Sequence, residues 1–232
     1  MRGSKLKTGK WWREKLWKVL NLENEFTPRQ EFVHSSLHAL GLFWGLVWIP
    51  ILLAQALETD NYRYFLSCLV YSFGFLTTFA CSTIFHSVRR PKTKKIFKLL
   101  DYLSIYIFIA GTYTPLVVTY MNNQTGHNFL TAIWLLTFVG ITTKLFLPRM
   151  RDLFSVLVYL SIGLMFLFVQ ESFFRAMSPF ISRLIIAGVI LYCIGVIFFL
   201  WRNWPHHHAV WHLFVLFAGL CHFAAILFSI KS

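Results

Sequence analysis

The sequence predicts an all-α membrane protein, a bundle of seven transmembrane helices with its N-terminus in the cytoplasm and its C-terminus outside. The composition, the long charge-free stretches and the placement of Lys and Arg all point to this class. Of the 232 residues, 57% are hydrophobic and only 13% are charged, whereas a soluble domain is about 25% charged. So few charges could not cover the surface of a soluble protein, and so much apolar material excludes a disordered one.

Seven stretches are long and apolar enough to cross a bilayer, for which a helix needs about 20 residues. Open strands are excluded from lipid, and no alternating ten-residue pattern is present, so we expect every span to be a helix. A turn-like cluster at 122–127 divides one over-long apolar stretch into two spans. The predicted spans are 32–57, 64–87, 101–121, 127–146, 153–171, 182–201 and 206–230.

The positions of Lys and Arg predict the orientation, because these residues concentrate in cytoplasmic loops. Of the 22 Lys and Arg residues, only Arg63, Arg175, Arg183 and Lys231 fall on the side opposite the N-terminus. The net charge of +13 lies in short stretches between apolar runs. We therefore expect contact with anionic lipids of the inner leaflet rather than with nucleic acid.

The chain divides into a basic segment, 1–27, and a transmembrane domain, 28–232. Residues 10–20 carry Trp and Leu at helical spacing among Lys and Arg, which predicts an amphipathic helix on the inner membrane surface. A solvated basic tail is the alternative. Thr27, Pro28 and Gln30 have the pattern of an N-cap, a first helical residue and a capping box. The first membrane helix should therefore begin here.

Polar residues near the ends of three spans mark a candidate site, because ionisable groups within a membrane are costly. Ser82 and His86 lie one turn apart at the end of the second span, and Asp101 opens the third. His208 and His212 lie one turn apart at the start of the seventh span. The predicted topology puts all five at the same, cytoplasmic depth, although the sequence does not determine whether the three helices touch.

The spacing of these residues predicts a zinc site. His208 and His212 share a helix face, and together with His86 they offer three imidazoles, which favour Zn²⁺. Three protein ligands with an open fourth position are typical of catalytic zinc, which activates a water molecule. Asp101 would accept a hydrogen bond from this water or act as the general base. Ser82 would orient a ligand or hold a substrate oxygen.

The same residues also have purely structural interpretations. A histidine at a helix end can be merely interfacial, and Asp101 can stabilise a helix N-terminus. His38, in the first span, is a candidate to line the site. His222, deeper in the seventh span, would be either a core hydrogen-bond partner or a residue that supports the ligands from behind.

These residues, in this order, resemble the hemolysin III family, which is related to the progestin and adipoQ receptors and, more distantly, to the alkaline ceramidases. The matching stretches are Glu31 with His38, STIFH at 82–86, Asp101 leading into AGTYTP at 110–115, and HAVWHLFV at 208–215 continuing to His222. The resemblance extends over residues 29–230 and is closest to the bacterial branch. It implies a seven-helix bundle in a bacterial inner (plasma) membrane, with zinc held by the three histidines and Asp101 and Ser82 beside it.

The function expected from the residues and the resemblance is a zinc-dependent hydrolase that cleaves a lipid amide or ester and influences membrane lipid composition. One alternative is a receptor-like or regulatory protein in which zinc is structural and a fourth ligand, such as Asp101, closes the site. Another is a pore-forming hemolysin. A conducting pore should have polar stripes along several spans, and this sequence has one mainly in the second. The expected partners are membrane lipids, including a lipid substrate.

Overall fold

The computed structural model describes residues 26–147 and 152–230, and within them every regular element is helical. The basic segment 1–27, with its predicted amphipathic helix, lies outside the described residues except for Phe26 and Thr27. The elements are α1 (Pro28–Leu57), α2 (Tyr62–Ser87), α3 (Pro91–Tyr120), α4 (Gln124–Phe146), α5 (Asp152–Gly163), a 3₁₀ turn (Met165–Phe168), α6 (Gln170–Phe174), α7 (Pro179–Leu200) and α8 (His207–Ser229).

Six of these helices, α1 to α4 together with α7 and α8, are long and apolar enough to cross a membrane. The prediction of an all-helical, multi-pass membrane protein is therefore confirmed. The fifth expected span, 153–171, is divided among α5, the 3₁₀ turn and α6. The count of seven spans and the orientation of the termini stay predictions.

The break after α5 has a local partner that stabilises it. The hydroxyl group of Tyr113, on α3, donates a hydrogen bond of 2.6 Å to the carbonyl oxygen of Gly163. This carbonyl belongs to the last residue of α5, where backbone acceptors lose their partners within the helix. The helix can thus end inside the bundle without leaving that oxygen unsatisfied.

The start of α1 follows the pattern read from the sequence. Thr27 is the N-cap, its side chain accepts from the backbone N–H of Gln30, and the side chain of Gln30 bonds back to Thr27. The side-chain amide of Gln30 also donates to the carbonyl oxygen of Pro205 at 2.8 Å. This bond ties the first turn of α1 to the loop that precedes α8.

Close packing of α2 on α3 forms the centre of the bundle. Gly74 allows the two backbones to approach, because a Cβ atom at this position would lie 2.9 Å from the Cα atom of Phe108. Phe75 and Phe79 of α2 and Phe108 of α3 pack together in tilted and edge-to-face contacts and are almost fully buried. α1 packs against α2 and α8, and α7 packs against α8. This arrangement brings the starts of α1 and α8 together with the end of α2.

A cavity of about 380 Å³ lies beside this core. Its walls come from α2, α3, α5, α7 and α8, and they include His208 at one end and His222 further along the same helix. Fourteen helical residues separate these two histidines, which corresponds to about 21 Å along α8. The cavity is therefore long and narrow, and Ile105, Ile109 and Val189 are among its apolar lining residues.

Candidate metal centre

Four histidines from three helices converge at one end of the bundle. His34 comes from α1, His86 from the last turn of α2, and His208 and His212 from the first two turns of α8. Each offers one ring nitrogen, and these four atoms lie within 4.8 Å of one another. The structure thus brings together the three histidines that the sequence analysis selected and adds a fourth.

The spacing of the four rings fits a single metal ion. The six distances between their ring centres range from 4.3 to 5.4 Å. Four imidazoles bound tetrahedrally to zinc, with Zn–N bonds of about 2.0–2.1 Å, would place their ring centres about 5 Å apart. The rings are therefore close to the arrangement that one tetrahedral ion requires.

Glu31 determines how His86 faces the cluster. Its Oε2 atom lies 2.6 Å from Nδ1 of His86, and its Oε1 atom accepts a hydrogen bond of 2.6 Å from Nζ of Lys94. A carboxylate paired with lysine only accepts hydrogen bonds, so Nδ1 of His86 must carry the proton. In the neutral ring, Nε2 then has a free lone pair, which is the form that binds metal ions.

His38 lies behind His212 in the same way as Glu31 lies behind His86. Its Nε2 atom contacts Nδ1 of His212, and both side chains are buried. When Nδ1 of His212 donates this bond, Nε2 of His212 carries a lone pair and faces Nε2 of His86 at 3.3 Å. Two lone pairs at this distance repel each other unless a cation lies between them. His38 thus lies behind a candidate ligand, in the position where a metal-binding histidine usually finds a hydrogen-bond acceptor.

Unpartnered nitrogen atoms in the cluster point to the same conclusion. Nδ1 of His34 and Nε2 of His208 are buried, and neither has a hydrogen-bond partner in the described part of the chain. A buried polar atom without a partner costs free energy, and a bound metal ion is one way to satisfy it. Phe26 covers this side of the cluster, with its ring stacked on His208 at 4.7 Å and in edge contact with His34 at 4.6 Å.

Asp101 and Ser82 lie next to the histidines but do not belong to the group of possible ligands. Ser82 is fully buried one turn before His86, and its hydroxyl group makes no hydrogen bond of normal geometry within the described residues. The Asp101 carboxyl group has Ser82, His86 and Lys98 as its polar neighbours. Both side chains line the long cavity together with His208 and His212.

His222 does not reach the cluster. Its Nε2 atom lies 3.2 Å from the carbonyl oxygen of Ile185, to which it donates, and its ring packs over Gly188 of α7. It lies about 15 Å along α8 from His212, since ten residues separate them. Of the two roles expected for His222, the structure gives it the core hydrogen bond, at a position that also lines the cavity.

His34 is the member of the cluster that the sequence analysis did not select. The signal that would have identified it is the spacing of Glu31, His34 and His38, which places three ionisable side chains on one face of the largely apolar α1. Two of these side chains, those of Glu31 and His38, hold His86 and His212 from behind. The third lies between them and faces the cluster directly.

Comparison with known proteins identifies the family to which this chain belongs. A family model described as "Haemolysin-III related" matches residues 26–223, a stretch that includes every residue of the cluster. The chain belongs to the haemolysin-III-related family. The resemblance read from the motifs is thereby confirmed.

The relatives of this haemolysin-III-related protein include bacterial and mammalian chains. It is 32% identical to the "Hemolysin-3 homolog" of Bacillus subtilis, over 88% of this chain and 95% of the relative. It is also 32% identical to "Hemolysin-3" of Bacillus cereus, over 87% of this chain and 92% of the relative. The human "Monocyte to macrophage differentiation factor" is 31% identical over 68% of this chain and 67% of its own length.

Proposed function

We propose that this membrane protein is a zinc-dependent hydrolase that cleaves an amide or ester bond of a lipid. The observation that carries the proposal is the position of the histidine cluster at one end of a long, largely apolar cavity. A metal centre and an acyl-sized channel are the two parts that such an enzyme needs. Asp101 and Ser82 line the cavity together with His208 and His212 of the cluster.

The ligand set supports zinc as the metal. Imidazole nitrogens suit zinc, and three or four of them in tetrahedral arrangement are typical of its sites. When bound, zinc supplies a Lewis acid that activates water for attack at neutral pH. His86, His208 and His212 would hold the ion, while Glu31 and His38 would keep two of these rings in the metal-binding tautomer.

Asp101 and Ser82 would handle the proton and the developing charge. The Asp101 carboxylate can accept the proton that the attacking water loses and return it to the leaving group. The buried hydroxyl group of Ser82 lies beside the Asp101 carboxyl group and lines the cavity, so it can turn to donate to the substrate oxygen as negative charge forms there. Asp101 would thus act as the general base, and Ser82 would stabilise the oxyanion.

The cavity would hold the apolar part of the substrate. Its volume of about 380 Å³ falls within the range of about 300–1,000 Å³ that is typical of small-ligand sites. A chain bound along Ile105, Ile109 and Val189 would place its polar end at the histidines. The basic residues around the cluster, among them Lys94 and Lys98, support a position at the cytoplasmic face of a plasma membrane, near anionic lipid headgroups.

A regulatory or receptor-like protein with structural zinc is the second candidate. The fourth histidine favours it, because structural zinc sites have four protein ligands and no open position. In that case His34, and not Asp101, would close the site. Turnover of a lipid substrate separates the two candidates.

The test combines metal content with hydrolysis. The detergent-purified protein is compared with the double variant His208→Ala/His212→Ala and with His127→Ala/His206→Ala, a matched control that removes two exposed histidines outside the cluster. We expect about one zinc per chain in the wild type and the control and none in the cluster variant, with release of fatty acid from long-chain amides or esters following the zinc. Zinc without turnover would favour the structural role, and absence of stoichiometric zinc would overturn the metal site.

A further inference from the structure

His34 is the histidine that the proposed hydrolysis leaves without a role. It is 1% exposed, and its ring centre lies 4.9 Å from that of His86, 4.8 Å from that of His208 and 5.3 Å from that of His212. These three distances are as short as those among the other rings. His34 therefore occupies the fourth vertex of the cluster.

The four histidines differ in how firmly they are held. His86 is fixed by the carboxylate of Glu31, and His212 is in contact with His38. His208 has no such partner, but it is one turn from His212 on the same helix, so the two bind as a chelating pair. His34 comes from a third helix and is oriented by ring contacts, chiefly with Phe26 and its fellow histidines.

Hydrogen-bonded partners behind a ligand usually contribute about 10–100-fold to metal affinity. His34 shows no such partner among the described residues, where its ring is held by aromatic contacts and its buried Nδ1 atom is left for the ion. It is thus the ligand that leaves at the lowest cost. Its departure would not detach α1, because Glu31 and His38 hold this helix on either side of it.

We propose that His34 is the fourth ligand of the metal ion and its exchangeable one, so that it closes the coordination position that water and substrate need. This inference rests on the proposed function, because a position can be closed only at a bound metal. Four protein ligands are typical of structural zinc, whereas catalytic zinc keeps one position open. A fourth ligand that can leave explains how the same cluster could have both properties. His34 thereby keeps the metal inactive until a substrate displaces its ring.

Cobalt substitution tests the role of His34 without relying on turnover. The zinc of the purified wild-type protein is replaced with Co²⁺, and the visible absorption spectrum is recorded during titration with azide, an anion that binds at an open coordination position or in place of a weakly held ligand. The same titration is performed on His34→Ala and on His127→Ala, whose exposed side chain lies on α4 outside the cluster. A third variant, His34→Phe, keeps a ring in contact with Phe26 but carries no ligand atom.

We expect His34→Ala to show a saturable spectral change at low azide concentration. The wild type and His127→Ala should show it only at much higher azide concentration, because azide must first displace the His34 ring. Both substitutions of His34 should weaken Co²⁺ binding by more than about tenfold, the lower end of the effect of losing an outer partner. The affinity of His34→Phe keeps the test decisive should His34→Ala fail to fold.

Two results would overturn the proposal in different ways. If wild type and His34→Ala respond equally to azide, or if neither substitution of His34 weakens Co²⁺ binding, His34 is not a ligand, while the metal site of the proposed function stands. If the wild type binds no Co²⁺, or if His208→Ala/His212→Ala binds it equally well, the metal site itself is refuted and the role of His34 with it.

Discussion

Glu31 and His86 are 55 residues apart in the chain, yet a hydrogen bond of 2.6 Å joins the carboxylate of one to Nδ1 of the other. The same carboxylate is paired with Lys94 at 2.6 Å. The bond determines which nitrogen of His86 faces His208 and His212. A residue that never touches the metal would thus decide whether His86 can bind it.

Substitution of Glu31 should therefore weaken the metal site. For Glu31→Ala we expect metal affinity to fall about 10–100-fold, the usual effect of losing an outer hydrogen-bond partner. Glu31→Gln should have a smaller effect, because its amide oxygen can still accept from Nδ1. The affinity is measured by competition with a chelator, beside Glu171→Ala, which removes an exposed acidic side chain paired with Arg175. Equal affinity in all four proteins would mean that Glu31 does not support the ligand.

Asp101→Asn should separate metal binding from catalysis. The amide is similar in size to the carboxylate but cannot accept a proton, so zinc content should stay at the wild-type level. Hydrolysis of a long-chain lipid amide should fall about 10²–10⁴-fold, the usual contribution of a general base. Metal analysis and fatty-acid release on the same preparation give both values. Full turnover in the variant would remove Asp101 from the mechanism.

The shape of the cavity predicts how turnover depends on the length of the substrate's acyl chain. Val189 lines it, whereas the neighbouring Ile190 is 52% exposed on the outside of α7. Val189→Trp should block the channel, so that turnover of long-chain substrates falls while short-chain substrates and zinc content are spared. Ile190→Trp adds the same side chain outside the cavity and should leave both substrates unaffected. An equal loss with short and long chains in Val189→Trp would contradict an acyl channel.

Because α2 and α3 are in close contact at Gly74, one added methyl group there should lower the stability of the protein strongly. A Cβ atom at Gly74 would lie 2.9 Å from the Cα atom of Phe108 and 3.1 Å from the carbonyl oxygen of Ile107, so backbone has to move. Gly74→Ala should reduce the free energy of unfolding by about 1–3 kcal/mol, the usual cost of overpacking. Gly163→Ala is the matched control, because nothing lies within 4 Å of its added Cβ atom. Thermal unfolding in detergent should show a lower midpoint for Gly74→Ala alone.

Removal of the metal should destabilise the bundle. A ligand that binds only the folded state raises its stability by mass action, and here it would join α1, α2 and α8. A chelator should therefore lower the midpoint of thermal unfolding of the wild-type protein, and added zinc should restore it. The variant His208→Ala/His212→Ala should not respond to either treatment. A wild-type midpoint that is insensitive to chelator and zinc would argue against a stabilising ion.

The sequence carried enough information to select most of the cluster. His208 and His212 are one turn apart, and His86 ends a span that the topology puts at the same depth, so their convergence followed from helix geometry. His34 was not selected because a histidine near the start of a span is typical of the membrane–water interface. Only its position between Glu31 and His38 distinguishes it, and that pattern gains meaning once α1 is known to pack against both α2 and α8.

The break in the fifth expected span could not be read from composition, since residues 153–169 are apolar on both sides of it. Its partner, the hydroxyl group of Tyr113, lies 50 residues away on α3. The burial of Lys144 could not be predicted from the sequence either. The orientation analysis placed it with the Lys and Arg residues on the side of the N-terminus. The structure buries it on α4, 5% exposed, where it donates to Ser155 at 3.2 Å and lies 4.0 Å above the ring of Tyr102. Long-range contacts of this kind decide burial, and no local pattern encodes them.

The distribution of the four histidines along the chain has a consequence for how the protein is made. His34 and His86 are synthesised early, but His208 and His212 lie on α8, more than 120 residues and several membrane helices later. A nascent chain carries only half of the cluster until α8 has been inserted and packed against α1. Metal loading would thus be a late event in assembly, and a chain that stalls before α8 would have no complete site in which to hold an ion.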